Sequence, residues 1–364
     1  MTPLPFLEKL LQVLGHGGFS STYKYAVLLA LIDLCVEAGQ PPTVLTTAQL
    51  ARRVVELYWP QARRFPSAQR VLKQNNGEAA TILRLVAAYR AGHPDRLSPP
   101  TGQSPPADFV DLLVEVEWVL VHQPLPKLQK VGGGEERFLY TISWDETVSR
   151  KAFTRGKRGL PDGLDNRLLL MPGAAASLVA LAAVIRPLVQ SQWLAKVRAL
   201  NGLPDAELDD FLFGARRIDL GALRGPLRDL QEGQCFYCSA ALSRGPTEVD
   251  HFLPWARYPD DGLDNLLLAH GSCNQKKLHY LADLDFAHRW AERSEREDKR
   301  LSEIALAENW GRDKARTFGV VASSYQSVTE GIRLWQGGEG LRRLSVEDLS
   351  PVMAFGRGLV GGQG

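Results

Sequence analysis

Four side chains with the spacing of a metal site lie between residues 235 and 273. Cys235 and Cys238 form a C-x2-C pair, and His270 and Cys273 form an H-x2-C pair further along the chain. Two such pairs supply two ligands each from a tight turn, which is what a tetrahedral zinc ion requires. Three of the four cysteines in the chain serve this pattern. The sequence therefore predicts a zinc site whose role is structural.

A second set of polar residues lies between and just after these pairs. Asp250 and His251 are adjacent, Asn265 lies in the insert, and Asn274 directly follows the last cysteine. A hard cation held by one carboxylate and one amide oxygen keeps positions open for a phosphate and a water. A neutral histidine titrates near physiological pH and can accept a proton from that water. Zinc alone requires none of these residues, so the pattern indicates phosphodiester hydrolysis.

The order of these residues resembles the HNH endonuclease family, the zinc-bound branch of the ββα-metal nucleases. The matching motifs are C-x2-C, D-H-x-x-P, D-N-L and a closing pair that runs into C-N-x-x-K. The resemblance implies that Asp250 and Asn274 hold a catalytic Mg²⁺ or Mn²⁺ against the scissile phosphate. It further implies that His251 is the general base and that Asn265 holds the loop that orients it. His270 stands where many relatives carry cysteine, but imidazole is an ordinary zinc ligand.

Two other interpretations of this stretch were weighed. Cysteine pairs at this spacing also occur in zinc ribbons that only stabilise a fold. A related alternative is a nucleic-acid-binding protein whose zinc unit docks on DNA without cutting it. The joint presence of Asp250, His251, Pro254, Asn265 and Asn274 at nuclease spacing favours the nuclease.

Local sequence predicts a strand, a turn, a second strand and a helix within this stretch. The strands are expected at 247 to 252 and 266 to 268, the turn at 260 to 262, and the helix from Ser272 onward. Most of the remaining chain shows helical spacing of apolar residues. We therefore expect an α+β, mainly helical fold, in which a small ββα-metal nuclease unit with structural zinc lies between helical flanking regions.

Four parts of the chain are expected. Residues 1–149 form an N-terminal helical, winged-helix-like region that is a candidate for DNA binding, with a capping box at Thr46 and Gln49 and a hairpin at 127 to 143. Residues 150–225 form a helical connector, 226–285 the nuclease domain, and 286–364 a C-terminal helical region with a flexible, Gly-rich tail.

Basic residues provide candidate contacts to nucleic acid. The net charge is only +2, so such contacts must come from local patches. The alternative, that arginines cover the polar sides of amphipathic helices, stays open. The candidates are Lys277, which closes the nuclease motif, Arg52, Arg53, Arg63 and Arg64 in the N-terminal region, and Arg155, Lys157 and Arg158 in the connector.

Composition limits the cellular context. The chain of 364 residues is 45% hydrophobic and 23% charged, as in ordinary globular proteins. Only Cys35 lies outside the zinc pattern, which leaves no disulfide framework and favours the cytoplasm. We expect no membrane span and no nucleotide-powered motor, because long apolar runs and a G-x-x-x-x-G-K-[ST] motif are lacking. The resemblance to bacterial HNH proteins suggests restriction or antiphage defence, with DNA as substrate and a protein partner from such a system.

Overall fold

The computed structural model describes residues 2–18, 20–77, 80–96, 98–100, 105–131, 134–203, 208–213 and 220–361. The chain forms two compact units. Unit 1 comprises Met1–Cys35 and Pro41–Gly214, and unit 2 comprises Val36–Gln40 and Ala215–Gly364. The division into four parts, with boundaries at 149, 225 and 285, stays a prediction.

Unit 1 is built mainly from helices. Thr46 and Gln49 form the predicted capping box, in which the Thr46 hydroxyl accepts from the Gln49 N–H at 3.3 Å and the Gln49 side chain accepts from the Thr46 N–H at 2.8 Å. The helices are α1 (Pro3–His16), α2 (Tyr23–Glu37, ending in unit 2), α3 (Thr47–Tyr58), α4 (Thr81–Gly92), α5 (Ala107–His122), α6 (Arg150–Lys157), α7 (Ala174–Asn201) and α8 (Leu208–Leu212). Between α3 and α4, Phe65 and Arg70 pair across a tight turn.

The predicted hairpin forms only in part, because Lys130–Val131 pairs antiparallel with Gly134–Glu135 while Tyr140–Thr141 pairs with a different strand. The strands are β1 (Val44–Thr46), β2 (Lys130–Val131), β3 (Gly134–Glu135), β4 (Tyr140–Thr141) and β5 (Arg167–Leu170), with β2 paired to β3 and a separate antiparallel sheet in the order β1-β5-β4. Gln129 explains the difference, because its buried side-chain oxygen accepts from the Leu139 N–H at 2.8 Å and its amide donates to the Tyr140 carbonyl at 2.9 Å. These bonds direct the second half of the hairpin toward β5. The predicted turn glycines 132 and 133 lie outside the described residues.

Helix α7 runs without interruption through Pro187. Among the described helices it is the one long and apolar enough to cross a membrane by length and composition, and 39% of its most apolar window is buried within the protein. Arg186, near its middle, forms an ion pair with Asp33, and Trp193 is fully buried. These contacts build α7 into the core of unit 1.

Unit 2 contains the predicted strand–strand–helix. Strand β6 (Thr247–His251) pairs antiparallel with β7 (Leu266–His270), which leads directly into helix α10 (Gly271–Lys277). This confirms the expected ββα unit and the α+β, mainly helical fold class. The other elements are α9 (Arg224–Leu230), β8 (Leu281–Ala282), α11 (Leu284–Arg296), α12 (Asp298–Ala307), α13 (Lys314–Gln326), β9 (Arg333–Gly337), β10 (Gly340–Arg343) and α14 (Val346–Gly361).

Helix α11 supports the ββα unit from one side. Its Trp290 stacks on Phe252, with ring centroids 4.9 Å apart and an interplanar angle of 3°. The buried Arg293 donates to the carbonyls of Leu266 at 2.8 Å and Asp264 at 3.0 Å. The helix therefore satisfies backbone groups at the start of β7 that would otherwise be buried without partners.

The expectation of a flexible C-terminal tail is wrong for residues 346 to 361, which form α14. One glycine of this helix permits close packing. A Cβ atom at Gly356 would lie 2.7 Å from the Ala322 carbonyl oxygen of α13, so this position allows close backbone contact between the two helices.

Candidate active site and zinc centre

The four predicted zinc ligands lie together. The ligand atoms of Cys235, Cys238, His270 and Cys273 are all within 4.8 Å of one another. The first two come from the loop after α9, where the Cys235 N–H donates to the Ala240 carbonyl at 2.9 Å. His270 ends β7 and Cys273 lies in the first turn of α10. A Cys3His set of this kind fits a structural zinc ion.

Hydrogen bonds orient these ligands toward a common centre. The His270 Nε2 lies 3.2 Å from the Ala241 carbonyl oxygen, to which it can donate, and its Nδ1 lies 3.3 Å from the Cys238 sulfur. The backbone N–H of His270 donates to the Cys235 sulfur at 3.4 Å. A carbonyl partner fixes the tautomer of a metal-ligating histidine, so Nδ1 is the nitrogen available to zinc.

The thiols of the zinc centre differ in acidity. Burial raises the pKa of the Cys273 thiol to about 12, and charge at Cys235 and Cys238 acts in the same sense. At Cys238 burial is outweighed by the Ala240 N–H and the His270 side chain, which lower the pKa of the thiol to about 7. Because zinc binds thiolates, its binding at neutral pH must displace protons from this cluster.

The strand register connects the zinc centre to the predicted catalytic residues. Thr247 lies opposite the zinc ligand His270, Asp250 opposite Leu267, and His251 opposite Leu266. A shift of one residue would reverse which side chains face inward. Fixing His270 in the zinc centre therefore fixes the positions of the Asp250 and His251 side chains.

Asp250 is nearly buried and is held by two donors. Its Oδ2 accepts from the Tyr237 hydroxyl at 2.5 Å and lies 3.1 Å from the Lys277 ammonium. Burial and the neighbouring carboxylate raise the pKa of Tyr237 well above its ordinary value, so the hydroxyl keeps its proton. Oδ1 takes no part in these two contacts and is the oxygen oriented for a cation.

Lys277 has a different role from the one predicted. Its side chain is completely buried and donates to the His251 carbonyl at 2.7 Å, in addition to its contact with Asp250. Burial lowers the pKa of the ammonium, and Asp250 acts in the opposite sense. A lysine with no exposed surface cannot contact nucleic acid, so this prediction is wrong. Lys277 positions Asp250 and the end of β6 instead.

His251 is oriented by a residue that the sequence interpretation missed. Its Nε2 lies 2.8 Å from Oδ1 of Asp261, and the Asp261 backbone is anchored by the indole N–H of Trp310, 2.8 Å from its carbonyl. When Nε2 carries the proton it donates to the carboxylate, which leaves Nδ1 as a proton acceptor. The Asp260-Asp261-Gly262 run gave only a turn signal in the sequence.

Asn265 ties together the two ends of the loop between β6 and β7. It is fully buried, its Oδ1 accepts from the Leu253 N–H at 2.8 Å, and its Nδ2 donates to the carbonyls of Asp260 at 2.9 Å and Leu253 at 3.2 Å. Leu253 follows His251 by two residues, and Asp260 directly precedes Asp261. The amide therefore holds both parts of the histidine–aspartate pair in place.

Asn274 is held by Glu248, another residue not identified from the sequence. Its Nδ2 donates to Glu248 Oε2 at 2.7 Å, so its Oδ1 is left for a ligand. Glu248 and Asp250 alternate along β6 and therefore face the same side. No direct hydrogen bond joins Asp250 to Asn274 among the described residues. These side chains offer a hard cation one carboxylate oxygen and one amide oxygen.

Arg53 cannot contact nucleic acid without disrupting unit 1. It is buried and forms ion pairs with Glu56 at 2.5 Å and Asp33 at 3.9 Å. Arg52 donates to the Pro100 carbonyl at 3.1 Å. Arg53 is already used in this internal network, and turning it outward would break its ion pair with the buried Asp33. The prediction of a phosphate contact is therefore wrong for Arg53.

Other candidate cations in unit 1 have internal partners as well. Arg63 donates to the Pro60 carbonyl at 2.8 Å, Arg155 donates to Asp162 at 2.7 Å, and Lys157 pairs with the buried Glu117 at 2.8 Å. Two candidates from the sequence, Arg64 and Arg158, are exposed. A phosphate contact in unit 1 stays a prediction.

Residues 235–282 match the family model of the HNH endonucleases. The matched segment starts at the first zinc ligand and contains β6, β7 and α10, so the sequence match and the ββα unit coincide. This segment is an HNH endonuclease domain. Comparisons of the chain with curated proteins and with solved structures gave no match.

The zinc centre and the Asp250 site can be separated by mutation. Cys238→Ser should lose zinc and destabilise unit 2, because structural zinc contributes on the order of 10 kcal/mol to folding. Asp250→Asn should keep zinc and fold, since an amide retains a partner for Lys277 whereas alanine would leave that ammonium buried alone. Elemental analysis and thermal unfolding of both variants test this. Full zinc content in Cys238→Ser would contradict the assignment.

Proposed function

We propose that this protein is a divalent-metal-dependent endonuclease that hydrolyses phosphodiester bonds in DNA. The observation that carries the proposal is the pair formed by His251 and Asp261 inside a ββα unit that matches the HNH endonucleases. This pair provides a proton acceptor next to a carboxylate, Asp250, that suits a hard cation. The HNH match supports a nucleic acid as the substrate.

Each residue of the candidate active site would have a separate role in the hydrolysis. Nδ1 of His251 would take the proton of the attacking water, and the Asp261 carboxylate would stabilise the imidazolium that results. Asp250 and Asn274 would hold Mg²⁺ or Mn²⁺, which supplies positive charge to the phosphate and the leaving oxygen. Asn265 keeps the loop that carries Asp261 in register with the histidine.

Lys277 affects how the cation would bind. Its ammonium lies 3.1 Å from Asp250 Oδ2 and so compensates part of the charge that attracts a divalent ion. Mg²⁺ is commonly held by one or two carboxylates together with the oxygens of substrate phosphates. We therefore propose that bound nucleic acid strengthens the binding of the cation.

Plasmid cleavage tests the proposal directly. Supercoiled plasmid should be nicked or linearised with Mg²⁺ or Mn²⁺, and brief EDTA treatment should stop cleavage reversibly while zinc is retained.

His251→Ala should lower the rate by a factor of about 10² to 10⁴ through loss of the proton acceptor, with zinc content unchanged. A wild-type rate in His251→Ala would reject the assignment. Binding without cleavage by the native protein would favour the non-cleaving alternative.

The role of Asp261 can be tested separately. Asp261→Asn should lower kcat by a factor of about 10 to 10², because an amide can donate to the imidazole and favour the wrong tautomer. KM should change little, and Asp261→Glu should restore part of the rate. Asp285→Asn, an exposed acid of α11, is the matched control. Equal rates for Asp261→Asn and the control would show that Asp261 does not orient His251.

The biological proposal is a cytoplasmic role in restriction or antiphage defence, together with a protein partner. It rests on the resemblance to bacterial nucleases of this kind. Expression of the gene with its neighbours in a bacterial host should reduce phage plating, and His251→Ala should abolish the reduction. Equal plating with active and inactive forms across a broad phage panel would count against this role.

A further inference from the structure

The loop that follows His251 exposes an aromatic side chain beside the candidate active site. Trp255 is 38% exposed, and its ring centroid lies 5.3 Å from that of His251 at an interplanar angle of 59°. The loop makes a tight turn after Pro254, whose carbonyl accepts from the Arg257 N–H at 2.8 Å. A large exposed apolar ring held next to a proton acceptor suggests contact with a ligand.

Arg257, in the same loop, is a cation without an acidic partner. Its Nε donates to the His279 carbonyl at 3.3 Å, and it forms no ion pair within the part of the chain that the structure describes. Arg312 of the same unit, by contrast, pairs with Asp264. A guanidinium with spare donors is suited to a phosphate group.

The bond from Arg257 brings a second exposed segment next to this loop. After α10, Leu278 is 59% exposed and adopts a left-handed conformation with φ of 49°. His279 and Tyr280 then stack on each other with centroids 4.8 Å apart. The loop after His251 and the segment bonded to it thus carry rings and a cation, which is the composition of surfaces that bind single-stranded nucleic acid.

We propose that Trp255 and Arg257 bind the nucleotide next to the scissile phosphate, with Trp255 stacked on its base and Arg257 on a backbone phosphate. This rests on the proposed nuclease function. In a duplex the faces of each base are covered by its neighbours, so stacking on a protein ring requires an unpaired, unstacked base. The enzyme therefore acts on a strand that is unpaired at the cleavage position.

Equilibrium binding of zinc-loaded, full-length protein to labelled oligonucleotides tests this without Mg²⁺ or Mn²⁺, so that no strand is cut. The probes are single-stranded DNA, single-stranded RNA and duplex DNA of one sequence. Trp255→Ala and Trp255→Leu should both weaken single-strand binding about tenfold, since base–aromatic stacking is lost in each. Duplex binding should not change. The leucine variant keeps the bulk that covers His251 and so separates stacking from packing.

Arg257→Gln should reduce the slope of log K against log salt by about 0.7, the value for one phosphate contact on a single strand. Leu306→Ala and Arg296→Gln, both at exposed positions of unit 2, are the controls. The loss of affinity in Trp255→Leu is compared between single-stranded DNA and single-stranded RNA. The probe that shows the larger loss is the preferred substrate.

Wild-type affinity in Trp255→Leu, or equal losses on single strands and duplex, would overturn the proposal. Because binding is measured without turnover, failure of the nuclease reaction would not produce either result.

Discussion

The ββα unit depends on the carboxylate of Asp250, because residues from three elements meet there. Tyr237 reaches it from the zinc loop and Lys277 from the end of α10, while β6 supplies the residue itself. A buried charge is tolerated only when it is paired and hydrogen-bonded. The aspartate therefore requires a lysine, a tyrosine and a folded zinc loop to be in place together.

In this arrangement the proposed zinc site also helps to position a donor to Asp250, in addition to stabilising the fold. Tyr237 lies between the ligands Cys235 and Cys238, so the position of its hydroxyl follows the position of the metal loop. Its ring packs edge-on against Trp335 of β9, with centroids 4.9 Å apart. Zinc and an aromatic contact from the C-terminal part of the chain thus fix one donor to Asp250. Loss of zinc would remove that donor together with the fold.

The segment between α12 and α13 has a comparable role around the loop between β6 and β7. Asp264 is fully buried in that loop, and Arg312 binds both of its oxygens, at 2.9 and 3.0 Å. Trp310, two residues earlier, anchors Asp261. A small ββα unit cannot bury these polar groups with its own side chains. The chain beyond residue 284 therefore belongs to the structure that orients His251.

Sequence spacing was sufficient for the features that depend on local chemistry. The clustering of the four cysteine and histidine side chains and the strand–strand–helix order follow from short motifs and residue types, and the structure contains both. Sequence spacing could not indicate the roles of residues that depend on tertiary contacts. Lys277 has the composition of a phosphate contact, and only its complete burial shows that it pairs with Asp250.

Asp261 likewise sits in a run that reads as a turn, and only the fold brings it to His251. The same limit applied to Gln129, whose buried amide redirected a predicted hairpin, and to Gly356, whose missing Cβ allows two helices to approach. In each case the decisive partner lies on a different element of the fold.

The two proposed metal sites differ in the ligand atoms that they offer to a cation. The zinc cluster gathers three thiols and an imidazole, so it attracts a soft ion strongly once protons leave. The proposed Asp250 site offers oxygen atoms instead, from the Asp250 carboxylate, which is shared with an ammonium, and from the Asn274 amide, which is held by the Glu248 carboxylate. Hard oxygen ligands of this kind would suit Mg²⁺ or Mn²⁺, to which substrate phosphates would add further oxygens. A permanent structural ion and a transient catalytic ion can therefore lie side by side without exchanging places.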